Sequence, residues 1–226
     1  MPRLLTARFT EKIERWQDRV REPALSVLFL GQAVVLFLAG PLLSAHVLSF
    51  AVMDSLQLLL LLISYFALPP GSRVRPLLLL CLAPILWMLY SGPNPHLGLL
   101  LHTVARLGIT VAVAQAVFRA PRVTRHQLLG AVVVYLNLAL LFTGAYDSIN
   151  LAFPGAFLTL TKAPVQSSGE LVYFSLTTLT STGYGDILPV HPLARSLANL
   201  EAVVGQLFLA ILLARLVSLH GENPRP

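Results

Sequence analysis

Residues 181–185 suit the coordination of a dehydrated cation by backbone oxygens. Glycine stands at alternate positions, and glycine adopts positive φ without steric cost, so successive carbonyl groups can point toward one axis. Four such strands around that axis would stack rings of oxygens that replace the water shell of an ion. The oxygens would come from the Ser181 hydroxyl and from the backbone of Ser181, Thr182, Gly183, Tyr184 and Gly185. One chain supplies one strand, so the segment predicts an ion path that exists only in a fourfold assembly.

A short helix is expected to position this strand. Ser167 and Glu170 have the spacing of a capping box, which predicts a helix over 169–180. About three turns are too few to cross a bilayer, so the chain must enter the membrane and return to the same side. Non-helical backbone is tolerated at that depth where it lines a water-filled path. The partially negative C-terminal end of the helix would also favour a cation in the cavity below.

The composition is that of a membrane protein. Hydrophobic residues make up 56% of the 226 residues and charged residues 12%, with a mean hydropathy of +0.74. A soluble domain carries roughly a quarter charged residues. The charges cluster between apolar runs about as long as the ~20 residues that a crossing helix needs. These runs predict six spans near residues 24–43, 47–68, 76–90, 97–118, 127–146 and 193–219.

The distribution of charge predicts the topology. Nearly all arginines and lysines between the spans fall on the side of the N-terminus, and only Lys162 and Arg195 fall on the other. The positive-inside rule then places both termini in the cytoplasm of a multi-pass protein of the cell membrane. The net charge of +6 reflects this topology and contact with anionic lipid, not nucleic acid. Residues 1–23 form either an amphipathic helix on the inner surface or a simple charged tail.

Residues 178–186 read Thr-Leu-Thr-Ser-Thr-Gly-Tyr-Gly-Asp. This motif resembles the signature of potassium channels, in a form common among prokaryotic members, and the resemblance covers residues 127–219. It implies an all-α membrane fold of six transmembrane helices with a re-entrant pore helix and a selectivity filter, assembled as a homotetramer. Potassium would be the permeant ion, bound at filter residues only, with no cofactor. The implied division is a four-span unit 24–118, a linker 119–126, a pore domain 127–220 and a tail 221–226. Within the pore domain it implies an outer helix 127–146, a turret 147–168, a pore helix 169–180, a filter 181–185 and an inner helix 193–219.

The resemblance also assigns residues that support the filter. Family filters usually begin Thr-Val, whereas this one begins Ser181-Thr182, which keeps the inner hydroxyl. The family often braces the filter tyrosine with an indole and the final aspartate, here Asp186, with a carboxylate of the pore helix. The matching positions here are Phe174 and Thr177, so the brace is expected to depend more on Thr178.

The inner helix is expected to shape the cavity. Gly205 falls where the family places a hinge glycine, and it could equally be a glycine that admits a neighbouring helix closely. One face of the helix would line the cavity and its inner mouth, through Gln206, Leu209, Leu213 and Val217.

Asp54, Arg106 and Glu201 lie well inside predicted spans, away from their ends. The fourth span lacks the row of arginines that a voltage sensor needs, so steep voltage dependence is not expected. Asp54 and Arg106 lie at similar depths, and we predict an ion pair between them, although a water-filled crevice or lipid headgroups could also serve Arg106. Glu201 should face protein behind the filter, either protonated or satisfied by pore-helix threonines such as Thr177, as a packing acid or a pH sensor.

The sequence leaves two alternatives to a potassium-selective pore. One is a weakly selective cation channel, and the other is a non-conducting membrane subunit that assembles with another channel. No nucleophile motif, phosphate-binding glycine loop or pair of catalytic carboxylates is present, so an enzyme is not expected. The six residues after the last span predict that this chain carries no cytoplasmic ligand-binding domain.

Overall fold

A computed structural model of the chain describes residues 25–39, 56, 59–60, 62–65, 95–118 and 125–221. Several predictions concern residues outside these ranges: the N-terminal helix over 1–23, the third span over 76–90, Asp54, most of the linker, and the tail after residue 221.

Five helices and one small sheet make up the described elements. The helices are α1, Leu25–Leu38, ending in a π-helical turn over Val35–Ala39; α2, Pro95–Phe118; α3, Arg125–Ala152; α4, Ser168–Leu179; and α5, Pro192–Gly221. By length and composition, α3 and α5 are able to cross a membrane. The outer helix, predicted over 127–146, continues to residue 152.

The all-α prediction missed a two-stranded antiparallel sheet. Strand β1, Phe157–Thr159, pairs with β2, Ile187–Pro189, so that Phe157 lies opposite Pro189. These strands lie before α4 and directly after the motif 181–186. The sheet therefore ties the chain that leaves the motif to the chain that enters the short helix.

Helix α2 packs antiparallel along α3, and small residues permit the close approach. A side chain added at Gly130 of α3 would meet Val117 and Leu25, and one added at Gly144 would meet Thr103. Leu25 is a member of the buried core that α1 and α2 form with α3. The described part of the four-span unit therefore packs on the outer helix of its own chain.

Helix α4 packs between α3 and α5. An aromatic cluster joins it to α3 and β1. The rings of Tyr146, Phe157 and Phe174 meet edge to face with centroids 5.2–5.4 Å apart, a favoured aromatic geometry. Tyr146 and Phe157 are fully buried. This packing fixes the rotation and height of α4, and therefore where its C-terminal end points.

Candidate functional site

The predicted capping box is confirmed at the start of α4. The Ser167 side chain accepts from the backbone N–H of Glu170, and the Glu170 carboxylate accepts from the backbone N–H of Ser167. Two N–H groups that a helix leaves unpaired are thereby satisfied. Asp147 also accepts a hydrogen bond from Ser168, which places a carboxylate beside the positive end of the helix.

The motif folds back onto the last turn of α4. Carbonyls in the last turn of a helix lack partners within that helix. Here the Thr177 carbonyl accepts from the N–H groups of Thr182 at 2.8 Å and Gly183 at 3.1 Å, and the Thr178 carbonyl accepts from Ser181 at 2.9 Å. The strand therefore begins directly under the C-terminal end of the short helix.

Left-handed backbone recurs at alternate residues of the strand. The φ angles are +56° at Ser181, +55° at Gly183 and +76° at Gly185. Glycine adopts these angles freely, whereas a β-branched residue is strongly disfavoured there. Serine therefore suits position 181 better than threonine does. All five residues of the strand, 181–185, are exposed in the single chain, and Tyr184 is 70% exposed.

Tyr173 braces the outer end of the strand, a role that the sequence reading did not assign to it. Its hydroxyl donates to Asp186 at 2.7 Å, and its ring lies parallel to that of Tyr184 with centroids 6.3 Å apart. The hydrogen bond to Asp186 raises the pKa of Tyr173 above its usual value. The sequence contained one indication of this role. Tyr173 is adjacent to Phe174, the position expected to support the filter, and it has a hydroxyl group that Phe174 lacks.

The residues predicted to support the strand have other contacts. Phe174 belongs to the aromatic cluster behind α4. The hydroxyls of Thr177 and Thr178 both donate to the Phe174 carbonyl, within the helix. In the described chain, Thr177 reaches the strand through its backbone carbonyl and not through its side chain.

The inner end of the strand meets α5. The Gln206 side-chain amide donates to the Ser181 hydroxyl at 2.8 Å. The neighbouring Gly205 is buried against the backbone carbonyl of Leu179, and a Cβ at this position would overlap that oxygen. The same carbonyl accepts from the Tyr135 hydroxyl at 3.0 Å. The predicted cavity residues beyond Gln206 are all exposed in the single chain, namely Leu209, Leu213 and Val217.

Arg106 points toward the outer helix. Its guanidinium donates to the Leu140 carbonyl at 3.2 Å and interacts electrostatically with Asp147. It also lines a cavity of about 30 Å³ together with Gln32 and Asn137, whose buried amide nitrogens have no hydrogen-bond partner among the residues that the structure describes. The partner predicted for Arg106, Asp54, lies outside the described residues, so that ion pair stays a prediction.

Glu201 is completely buried behind α4, as expected for an acid that faces protein. Its carboxyl oxygens contact the Ser175 hydroxyl and the Tyr146 hydroxyl, each at 2.5 Å. The prediction that pore-helix threonines such as Thr177 satisfy it is therefore wrong. Ser175 lies one helical turn before Leu179 on the buried face of α4, which brings its hydroxyl to the carboxyl group.

We expect Tyr173→Phe to weaken the outer end of the strand, because it removes the hydroxyl that holds Asp186. In reconstituted protein, any ion flux should then decline faster with time, and the ratio of K⁺ flux to Na⁺ flux should be lower. Since both residues serve one hydrogen bond, adding Asp186→Asn to Tyr173→Phe should cause little further loss. Additive losses in this double-mutant cycle, measured by flux decay, would show that Tyr173 is not the brace.

Comparisons with known proteins found sequence similarity to channels over the part of the chain that contains this site. Residues 134–220 match the protein-family model described as "Ion channel". The chain is 37% identical over 75 residues to the inward rectifier potassium channel Kirbac3.1 of Paramagnetospirillum magnetotacticum. The aligned residues make up 31% of this chain and 25% of that protein. It is 36% identical over 84 residues to the two pore potassium channel c of Oryza sativa subsp. japonica, which covers 35% of this chain and 18% of that protein.

The chain thus aligns with a quarter or less of the length of these curated relatives. No solved structure is significantly similar to it. The family match contains α4, the strand 181–185 and α5, which together form the site described above. The two similar proteins are potassium channels by name, and the matched family model is that of an ion channel.

Proposed function

We propose that this protein is a potassium-selective channel that conducts K⁺ passively through a homotetrameric pore. The observation that carries the proposal is the strand 181–185, which leaves the C-terminal end of the short helix α4 and has left-handed backbone at alternate residues. Rings of carbonyl oxygens built from such strands replace the hydration shell of K⁺. The names of the two similar proteins support potassium as the permeant ion.

The fourfold assembly follows from what one chain leaves exposed. The strand would form one wall of an ion path, and its five residues are exposed in the described part of the chain. Only 11% of the most apolar stretch of α5 is buried within the chain, against 56% of α3. Three further copies would cover the strand and the inner part of this helix, and lipid would cover the rest.

The same assembly assigns the inner helix to the cavity. Gln206, Leu209, Leu213 and Val217 would face the axis below the filter, and the leucine-lined inner mouth would close by dewetting. The single arginine of α2, Arg106, supplies too little charge for steep voltage gating. We propose that it instead forms a structural ion pair with Asp54. Both termini would lie in the cytoplasm, consistent with the charge distribution.

A weakly selective cation pore is the second candidate, and one observation favours it. The Ser181 hydroxyl, which would form the innermost ring of ligands, already accepts a hydrogen bond from Gln206. In this arrangement the hydroxyl oxygen has less capacity left for an ion. Such a pore would conduct Na⁺ measurably beside K⁺.

Flux into liposomes that contain this chain alone tests the proposal. We expect thallium or rubidium uptake that external K⁺ competes away, and bi-ionic reversal potentials that exclude Na⁺. A Gly183→Asp variant reconstituted at the same density serves as the negative control. Comparable permeability to Na⁺ would support the second candidate, and no flux from correctly assembled tetramers would indicate a non-conducting subunit.

A further inference from the structure

Three buried groups from three helices converge behind α4. Glu201 of α5 is 0% exposed, as is Ser175 of α4, and Tyr146 of α3 is 0% exposed as well. The Tyr146 hydroxyl lies 2.5 Å from one Glu201 carboxyl oxygen, and the Ser175 hydroxyl lies 2.5 Å from the other. The Ser175 oxygen also lies 2.7 Å from the Ala139 carbonyl of α3. We call these four residues the Glu201 cluster.

Counting protons in the Glu201 cluster determines the state of the carboxyl group. A carbonyl oxygen has no proton, so the proton between Ser175 and Ala139 must come from the serine hydroxyl. That hydroxyl has only one hydrogen, so it cannot also donate to Glu201. The contact between Ser175 and Glu201 then needs a proton from Glu201 itself.

A neutral acid satisfies every contact at once. Glu201 donates to the Ser175 oxygen, Ser175 donates to the Ala139 carbonyl, and Tyr146 donates to the second carboxyl oxygen of Glu201. An ionised carboxylate would leave two acceptor oxygens facing each other in one of the contacts to Ser175. It would also place an unpaired negative charge at a site without solvent access, which is costly.

We infer that Glu201 is a positioning residue of the filter that acts as a neutral carboxylic acid, donating its proton to Ser175. This bond links α5 to α4. The bond from Ser175 to the Ala139 carbonyl links α4 to α3, and the bond from Tyr146 links Glu201 to α3. The strand 181–185 is hydrogen-bonded to the last turn of α4. The bond between Glu201 and Ser175, which holds α4 against α5, therefore sets the position of the filter. The inference deepens the proposed function and rests on it only for its effect on conduction.

Infrared spectroscopy of the reconstituted full-length protein tests the protonation state directly. The difference spectrum between wild type and Glu201→Gln should contain the C=O stretching band of a protonated carboxylic acid. Glu170→Gln is the matched control, because Glu170 is partly exposed and accepts backbone N–H bonds as a carboxylate; its spectrum should show carboxylate bands only. Ser175→Ala should shift the acid band, because the acceptor of the proton is lost. Carboxylate bands alone from Glu201→Gln would overturn the inference.

Flux measurements test the positioning role. Glutamine can donate to Ser175 and accept from Tyr146, so Glu201→Gln should keep K⁺/Na⁺ discrimination within about twofold of wild type, whereas Glu201→Ala should lose most of it. Equal losses in both variants would mean that an ionised carboxylate is required, which contradicts the inference. No flux from the wild type would contradict the proposed function instead, and the infrared result would still decide the protonation state.

Discussion

Gly183→Ala is expected to abolish conduction, because alanine disfavours the left-handed backbone that position 183 requires. The strain of a non-glycine residue in this conformation is about 1–2 kcal/mol. In the proposed fourfold pore, four chains must adopt the conducting arrangement together, so the total is at least about 4 kcal/mol. Since 1.4 kcal/mol corresponds to a factor of ten, the conducting population should fall more than about a hundredfold. Thallium flux per reconstituted tetramer measures this loss.

Gly155→Ala is the matched control for that variant. Gly155 also has a positive φ, +86°, and open space around the position of a Cβ, but it lies before β1, outside the strand 181–185. The backbone strain is therefore similar in the two variants, while only one of them turns a filter carbonyl. Equal flux from both would contradict the assignment of the ion path to residues 181–185.

Gly205→Ala is expected to destabilise the folded protein by about 1–3 kcal/mol per chain, the usual effect of overpacking. The added Cβ would overlap the Leu179 carbonyl, and backbone cannot rotate aside as a side chain can. Helix α5 would have to move away from the end of α4, where the Leu179 carbonyl already accepts a hydrogen bond from the Tyr135 hydroxyl. The free energy of unfolding measures the effect.

Gly130→Ala is the control for Gly205→Ala. It shows how much of the change in stability comes from replacing a helical glycine by alanine and how much from the contact with the Leu179 carbonyl. The Cβ of Gly130→Ala would lie 2.6 Å from a side-chain methyl of Val117, whereas the Cβ of Gly205→Ala would overlap a backbone carbonyl. Alanine is also the better helix former, so Gly130→Ala should destabilise the protein less than Gly205→Ala does. A Gly205→Ala protein with unchanged stability and altered opening would show that the glycine is a hinge, the alternative that the sequence left open.

Local sequence rules were sufficient to predict the start of α4. The Ser167–Glu170 spacing depends on hydrogen bonds within one helical turn, so the cap is visible without knowledge of the rest of the fold. The alternate glycines of residues 183 and 185 likewise predict the positive φ angles that the structure has. The ion-binding role of the strand remains a proposal, because it needs copies of the chain that one sequence does not show.

Contacts between distant elements were not predictable in the same way. Glu201 lies 26 residues from Ser175 and 55 from Tyr146, and the choice between Ser175 and Thr177 depends on how α4 is rotated against α5. The aromatic cluster around Phe174 sets that rotation. For the same reason Tyr173, and not its neighbour Phe174, faces Asp186.

The measurement that most directly tests the account is a density map of the protein purified in K⁺ and reconstituted in lipid. We expect four chains around one axis, with the backbone oxygens of residues 181–184 turned inward and ion density between successive rings. Four strands that face away from the axis, or an assembly of another number of chains, would contradict it.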